Sequence, residues 1–203
     1  MDCTAQRLTY RQTGAFSKIV LDYLEDAKEL RSFYAHRPDP EGIKKAIEAR
    51  KQFATNRAAL VQHLELQYKN VHASEEVLKN ISLLAGEHTF TVTTAHQPNL
   101  VTGPLYFIYK VLHTIKLADA LKLQLPSARF VPVFYMGSED ADVEELAHFW
   151  LNGTKHEWQT DQSGAFGRFV IEKKLLKLID AIAGELGVQL FGKEFIEKLK
   201  LYY

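Results

Sequence analysis

The sequence predicts an α/β fold in which a helical N-terminal segment precedes the first part of an open parallel sheet. Three observations predict it. Apolar residues recur at helical spacing up to about Glu87, a β-branched stretch begins at Thr89, and a strand–helix–strand succession then runs to Met136. Two strands joined by a long helix require parallel pairing and a right-handed crossover. The expected division is a helical segment over 1–87 that packs on the core, then the first part of the sheet domain over 88–203, with a hairpin and helical insertion.

The N-terminal helices are read from their stripes and stops. Phe16, Ile19, Val20, Tyr23 and Leu24 fall on one helical face, with Thr13 and Ser17 available as caps. The Pro38–Pro40 pair interrupts that pattern, and Pro40 opens a second helix through Lys44 and Ile47. A third stretch covers roughly Ala54 to Tyr68, striped by Leu60, Val61, Leu64 and Tyr68. Ser74 reads as the N-cap of a fourth, with Val77, Leu78, Ile81 and Leu84 behind it and Gly86 as its stop.

From Thr89 the chemistry changes. Phe90–Thr94 is β-branched and aromatic, as a strand should be. Gly103-Pro104 then opens a strong helix whose buried stripe is expected at Leu105, Ile108, Leu112, Ile115 and Ala118. Pro126 closes that segment, and Arg129–Met136 (RFVPVFYM) reads as a second buried strand. Val143–Ala147 suits one helical turn, and Asn152-Gly153 between Phe149–Leu151 and His156–Trp158 signals a tight hairpin. Helical patterns at Leu175–Leu186 and Lys193–Leu201 complete the chain, the latter with no Gly or Pro stop. Two parallel strands are few for a stable open sheet, so either a partner completes it or the core is incomplete and belongs to a longer polypeptide, which is the expectation.

Composition narrows the function classes. The 203 residues contain 46% hydrophobic and 25% charged side chains, ordinary values for a soluble globular protein. Lys plus Arg equals Asp plus Glu at 25 each, so no global field favours nucleic acid or an anionic membrane. The single cysteine, Cys3, excludes an internal disulfide, fits a reducing compartment and reads as an inert thiol. MDCTAQRLTY has neither a basic nor an apolar signal-peptide region, and a cytoplasmic location is expected.

In an open α/β sheet, ligands bind beyond the carboxyl ends of the strands. Two loops qualify: Ala95–Gly103 (AHQPNLVTG) and Gly137–Glu145 (GSEDADVEE). If the strands are neighbours, both loops face one pocket. The first brings His96, Gln97, Asn99, Thr102 and Gly103 to the start of the following helix, where free N–H groups favour an anion. Plain turn chemistry explains Gln97-Pro98-Asn99 equally well. Tyr106, Tyr109, Lys110 and His113 lie off the expected stripe, and Lys110 either reaches back toward the loop or faces solvent. The second loop offers Ser138, Glu139, Asp140 and Asp142, carboxylates able to hold an ammonium, take a proton or bind a hard cation. The plainer reading is an N-cap followed by an acidic first turn, and Glu144 and Glu145 read as solvated. His148 and His156 lack a cysteine or close acidic partner, so no metal site is expected. Arg168, in the compact Gly164–Arg168 turn (GAFGR), is a candidate carboxylate clamp. Neither a dinucleotide fingerprint nor a P-loop is present.

Thr93–Lys110 (TTAHQPNLVTGPLYFIYK) followed by Val131–Leu146 (VPVFYMGSEDADVEEL) resembles the bacillithiol synthase family. Phe16-Ser17-Lys18 with Leu21-Asp22-Tyr23 and the GAFGR turn are similar to the same family, so the likeness covers essentially the whole chain. Gln97, Pro98, Thr102, Gly103, Tyr109, Lys110, Ser138, Glu139, Asp140 and Asp142 match as they stand. Many members carry Gly-Gln-Gln at Ala95-His96-Gln97, and many have histidine at Ala141. The resemblance implies a Rossmann-like core similar to class I aminoacyl-tRNA synthetases and related nucleotidyltransferases. It implies ligation of L-cysteine to glucosaminyl-malate, the last step of bacillithiol synthesis. The related transferases bind ATP through a histidine-rich signature, where this chain has the single His96, so ATP stays an open candidate. Members are longer, and further Rossmann strands and a dimerising coiled coil would lie beyond Tyr203.

On this reading Gln97, Glu139 and Asp140 are the catalytic candidates. His96, Asn99, Thr102, Gly103, Tyr109, Lys110, Ser138, Asp142 and Arg168 are the candidates for substrate binding. Two rival readings stand beside the ligase: a nucleotidyltransferase that adenylates another substrate, and a non-catalytic interaction module presenting its N-terminal helices.

Overall fold

A computed structural model of the chain describes residues 5–203, and Cys3 lies outside them. The chain divides into two compact units, residues 1–90 with 124–126 and residues 91–123 with 127–203.

The first unit is helical, and side-chain caps open most of its helices, although Ser17, expected as a cap, makes no capping hydrogen bond. A short α1 (Tyr10–Thr13) starts with a capping box in which Thr9 and Gln12 satisfy each other's backbone N–H. It was not legible as a helix in the apolar pattern, because four residues are too few to show a period. After α2 (Lys18–Leu24) comes a 3-10 segment, Lys28–Phe33, also without a sequence signal. Asp39 caps α3 (Pro40–Lys51) by accepting the Gly42 N–H at 2.8 Å, with Pro40 in the first turn. Asn56 does the same for α4 (Arg57–Tyr68) through Ala59, and Ser74 for α5 (Glu75–Leu83) through Val77. The buried side of α5 is Ile81, with Leu84 just beyond its end.

The second unit holds the carboxyl edge of the sheet. Strand β1 (Thr89–His96) and β2 (Arg129–Met136) form a two-stranded parallel sheet, linked by α6 (Leu105–Gln124). At the carboxyl edge the Gly137 N–H donates to the His96 carbonyl at 3.0 Å, so the loops after the two strands start side by side. Next come α7 (Val143–Leu146) and the hairpin β3 (His148–Leu151)–β4 (Thr154–Glu157). Leu151 pairs with Thr154 across Asn152-Gly153, whose φ values of 47° and 81° define the left-handed two-residue turn that matches strand twist. A 3-10 turn, Phe166–Arg168, leads to α8 (Lys173–Leu186) and α9 (Gly192–Tyr202).

The core of this unit is built by α8 and α9 against the hairpin region. Leu175, Ile179 and Ile182 lie on one face of α8 at helical spacing and are the largest fully buried side chains. They cluster with Leu100, Leu146, Trp158, Phe166, Ile196 and Leu199. Each such side chain stabilises the fold by roughly 1.5–3 kcal/mol through removal from water.

Two expectations about burial are corrected. On α6 the buried residues are Thr114, Ala118 and Leu121, whereas Leu105, Ile108, Leu112 and Ile115 are 67%, 38%, 54% and 41% exposed. The helix is apolar on more than one side, and periodicity cannot say which side a neighbour covers. Likewise β2 buries Phe130 and Val131 near its start but exposes Phe134, Tyr135 and Met136 near its end.

Candidate active site

The loop after β1 is organised around His96, which is only 8% exposed. Its Nε2 lies 2.7 Å from the Tyr106 hydroxyl, on the first turn of α6. Its Nδ1 lies 3.0 Å from both the Gln97 carbonyl oxygen and Asn99 Nδ2. Asn99 Nδ2 also donates to the Gln97 carbonyl at 3.0 Å. Protonated at Nδ1, the ring donates to Gln97 O and accepts the Tyr106 hydroxyl at Nε2, with Asn99 Nδ2 donating to Gln97 O alone. Protonated at Nε2, it donates to Tyr106 Oη and accepts an Asn99 proton at Nδ1, which leaves Nδ1 facing Gln97 O with no hydrogen between them. In the second state the Tyr106 O–H is left to donate elsewhere. Ring contacts hold the imidazole in place, with Phe107 edge-on at 5.3 Å between centroids.

Backbone geometry locks this loop. Gly103 has φ 63°, and a Cβ built there would stand 2.7 Å from Asn99 Cγ, so glycine is required for Asn99 to reach His96. Val101 also has a left-handed φ of 58°, an uncommon conformation for a β-branched residue. Its N–H donates to Tyr203 Oη at 3.0 Å. Burial raises the pKa of that phenol, and the hydrogen bond from Val101 partly opposes the shift.

Lys110 reaches back rather than out: its Nζ donates to the Ala95 carbonyl at 2.5 Å and sits 5.9 Å from the Tyr106 ring centroid. Gln97 contributes its carbonyl to the His96 network, while its side-chain amide has no hydrogen bond among the described residues. Thr102 Oγ1 makes a long local bond of 3.4 Å to the Gly103 carbonyl, and Tyr109 is exposed.

The acidic loop is shaped by its own hydrogen bonds and by the GAFGR turn. Asp140 Oδ1 accepts the Asp142 N–H at 3.0 Å, and Asp142 caps α7 by accepting the Glu145 N–H at 3.1 Å. Tyr135 donates to Glu139 at 3.3 Å. The Phe166 N–H donates to the Asp140 carbonyl at 2.7 Å, and the Gly167 N–H to the Ser138 carbonyl at 3.1 Å. A Cβ on Gly167 would lie 2.5 Å from Ser138 Cβ, so this close approach needs glycine. The second glycine of GAFGR therefore seats the turn against the acidic loop. Arg168 is exposed, with no ion pair among the described residues.

A cavity of about 690 Å³ opens beside the first loop. His96, Asn99, Thr102, Gly103 and Tyr106 line one side; Glu145, His148, Trp150 and the apolar Ile182, Leu186 and Phe195 line the others. Gln97, Glu139 and Asp140 do not line it, although their loops start together at the sheet edge. Sequence reasoning missed Tyr106, Glu145 and His148. His148 Nδ1 lies 2.8 Å from the Glu144 carbonyl and donates to it, so the neutral ring carries its lone pair on Nε2. A signal for Tyr106 existed in its place, two residues after Pro104 in the helix's first turn. Nothing local marks Glu145 or His148. Among the described residues no group of three His, Cys, Asp or Glu side chains could hold a metal ion, and no helix is long and apolar enough to cross a membrane.

These features define an α/β protein with a cavity next to the loop that follows the first strand of a parallel pair. Residues 1–203 match the family model described as bacillithiol biosynthesis BshC, N-terminal Rossmann-like domain, and the chain belongs to that family. It is 45% identical over 166 residues to the "Putative cysteine ligase BshC" of Cytophaga hutchinsonii, covering 82% of this chain and 32% of that protein. The proteins of the same name from Flavobacterium johnsoniae and Flavobacterium psychrophilum are 44% and 43% identical over 182 and 195 residues. Those matches cover 89% and 95% of this chain, but 34% and 36% of the relatives. The chain thus spans about a third of the length of these relatives.

Proposed function

We propose that this chain supplies the front part of the active site of a ligase that joins L-cysteine to glucosaminyl-malate, forming the amide of bacillithiol. The observation that carries the reading is membership of the BshC N-terminal domain family over residues 1–203. The cavity supports it chemically. An amino sugar bearing a malate group needs hydrogen-bond partners of both kinds, which Asn99, Tyr106, His96 and Glu145 offer at its wall. Glu145 suits the sugar ammonium, and Tyr106 Oη, held by His96, offers a hydrogen-bond partner to a hydroxyl or carboxylate.

Within this reading Gln97 orients substrate, and Glu139 and Asp140 hold an ammonium or take the proton of the attacking amine. His96, Asn99, Thr102, Gly103, Tyr109, Lys110, Ser138, Asp142 and Arg168 form the wider binding surface. Residues 1–87 form a helical domain that precedes the Rossmann-like one in the chain, and the longer protein works as a cytoplasmic homodimer. The lining of the 690 Å³ cavity does not fit ATP, because no Lys or Arg is among its residues and a triphosphate would meet no fixed cation there.

The test is reconstitution. A full-length homologue carrying this domain is given L-cysteine and glucosaminyl-malate, with and without ATP, and bacillithiol is sought by mass spectrometry. Product formation is expected, with the two arms settling what activates the carboxylate. No product from a protein shown by circular dichroism to be folded would overturn the proposal.

A further inference from the structure

A second cavity, of about 420 Å³, lies in the first unit among the end of α3, the start of α4 and the start of β1. It is distinct from the site at the carboxyl edge, and two guanidinium groups line it. Arg50 donates to the Phe53 carbonyl at 3.1 Å and to Thr55 Oγ1 at 2.6 Å, and its guanidinium carbon lies 5.8 Å from the Phe53 ring centroid. Arg57 donates to the Leu84 carbonyl at 2.9 Å and the Thr89 carbonyl at 3.0 Å. All four acceptors are neutral. By contrast Arg11, Arg31 and Arg37, in the same unit, each pair with a carboxylate.

The charge balance of this cavity is therefore positive. Lys51 lines it too, with its ammonium paired to Glu48 at 2.7 Å, and His88 adds an imidazole. Glu87 is the single acidic residue of the lining, and it forms no ion pair with either arginine among the described residues. The neutral acceptors fix the direction of both forks while leaving their charge uncompensated. Such forks match the geometry of carboxylate and phosphate oxygens, and pre-organisation lowers the cost of binding them. The volume suits a small molecule.

We propose that this cavity is a binding site for a small molecule presenting a phosphate or carboxylate group, held by Arg50 and Arg57 between the Phe53 ring and His88. The site stands independently of the ligase reading, since none of its residues lines the other cavity.

Isothermal titration of the 203-residue chain with inorganic phosphate, and separately with malate, tests this at constant ionic strength in chloride buffer. Saturable binding of at least one anion at one site per chain is expected. Arg50→Gln should weaken it by about tenfold or more, and Glu87→Gln should tighten it. Phosphate alone binding identifies a phosphoryl ligand, malate alone a carboxylate, and both a general oxyanion site. Backbone amide shifts of the unmutated chain should move first at Arg50, Arg57 and His88, a readout that does not depend on any variant folding. Binding of neither anion, equal binding by Arg50→Gln, or shifts confined to other residues would each overturn the proposal.

Discussion

The Tyr203 hydroxyl accepts the Val101 N–H at 3.0 Å and so ties the end of α9 to the loop that carries His96. Val101 keeps a left-handed φ of 58° that a β-branched residue adopts only under external constraint. Tyr203→Phe removes the acceptor and leaves that N–H unpaired, at a cost of about 1–3 kcal/mol. A lower urea midpoint with an unchanged slope is the expected result. The raised phenol pKa also gives a pH dependence. Above the ordinary tyrosine pKa of about 10 the unfolded chain loses this proton before the folded one does. Stability contributed by Tyr203 is therefore complete below that pH and is lost as pH rises through the folded value. The difference between the parent chain and Tyr203→Phe should shrink over that range; a constant difference would contradict it.

His96 and Tyr106 yield a second expectation. Imidazole nitrogen shifts should show a single dominant tautomer, held by Tyr106 at Nε2 and by Gln97 or Asn99 at Nδ1. Tyr106→Phe leaves Nε2 without its partner in a nearly buried site and should cost about 1–3 kcal/mol. Gly103→Ala should act on the same network from the other side. It adds left-handed strain of about 1–2 kcal/mol and pushes Asn99 off His96 Nδ1. A folded Gly103→Ala protein with unaltered imidazole shifts would show that Asn99 does not hold the ring.

The two glycines at positions 167 and 184 should respond in opposite directions. Gly167→Ala places a methyl against Ser138 and should cost about 1–3 kcal/mol by overpacking, with the acidic loop displaced. Gly184 sits inside α8 with open space around it, so Gly184→Ala should stabilise by about 0.5–1 kcal/mol through helix propensity. Thermal unfolding of both variants reads the contrast directly. Equal shifts would mean that the GAFGR turn does not pack on Ser138 as described.

Acid stability should depend on Asp26. Its carboxylate accepts from Tyr34 at 2.7 Å and from Arg31 at 2.7 Å, and it also pairs with Arg37, which together hold its pKa well below the usual carboxylate range. A depressed pKa contributes stability that is present above the unfolded value of about 3.9 and lost as pH falls. Asp26→Asn keeps a residue that tolerates the local φ of 59° while removing the charge. It should destabilise the chain at neutral pH and flatten the loss between about pH 5 and lower values. Parallel acid titrations of the two proteins, differing only by a constant, would count against this role.

Local chemistry determined most of the architecture. The Ser74 cap, the start of α3 at Pro40, the Asn152-Gly153 turn and the bounds of β2 follow from residue types a few positions apart, so they were legible in the sequence. The same holds for placing His96, Asn99 and the Ser138–Asp142 loop at one sheet edge, since a strand–helix–strand unit brings both loops there. The tertiary structure alone decided which face of α6 is covered, because that helix has more than one apolar side. It also decided that Glu145 and His148, rather than Glu139 and Asp140, line the 690 Å³ cavity, since that depends on how α7 and the hairpin pack on α8 and α9. The bonds from Tyr203 to Val101 and from Gly167 to Ser138 join residues 102 and 29 positions apart. Contacts at such separation form only when the core closes, and no local pattern in the chain encodes them.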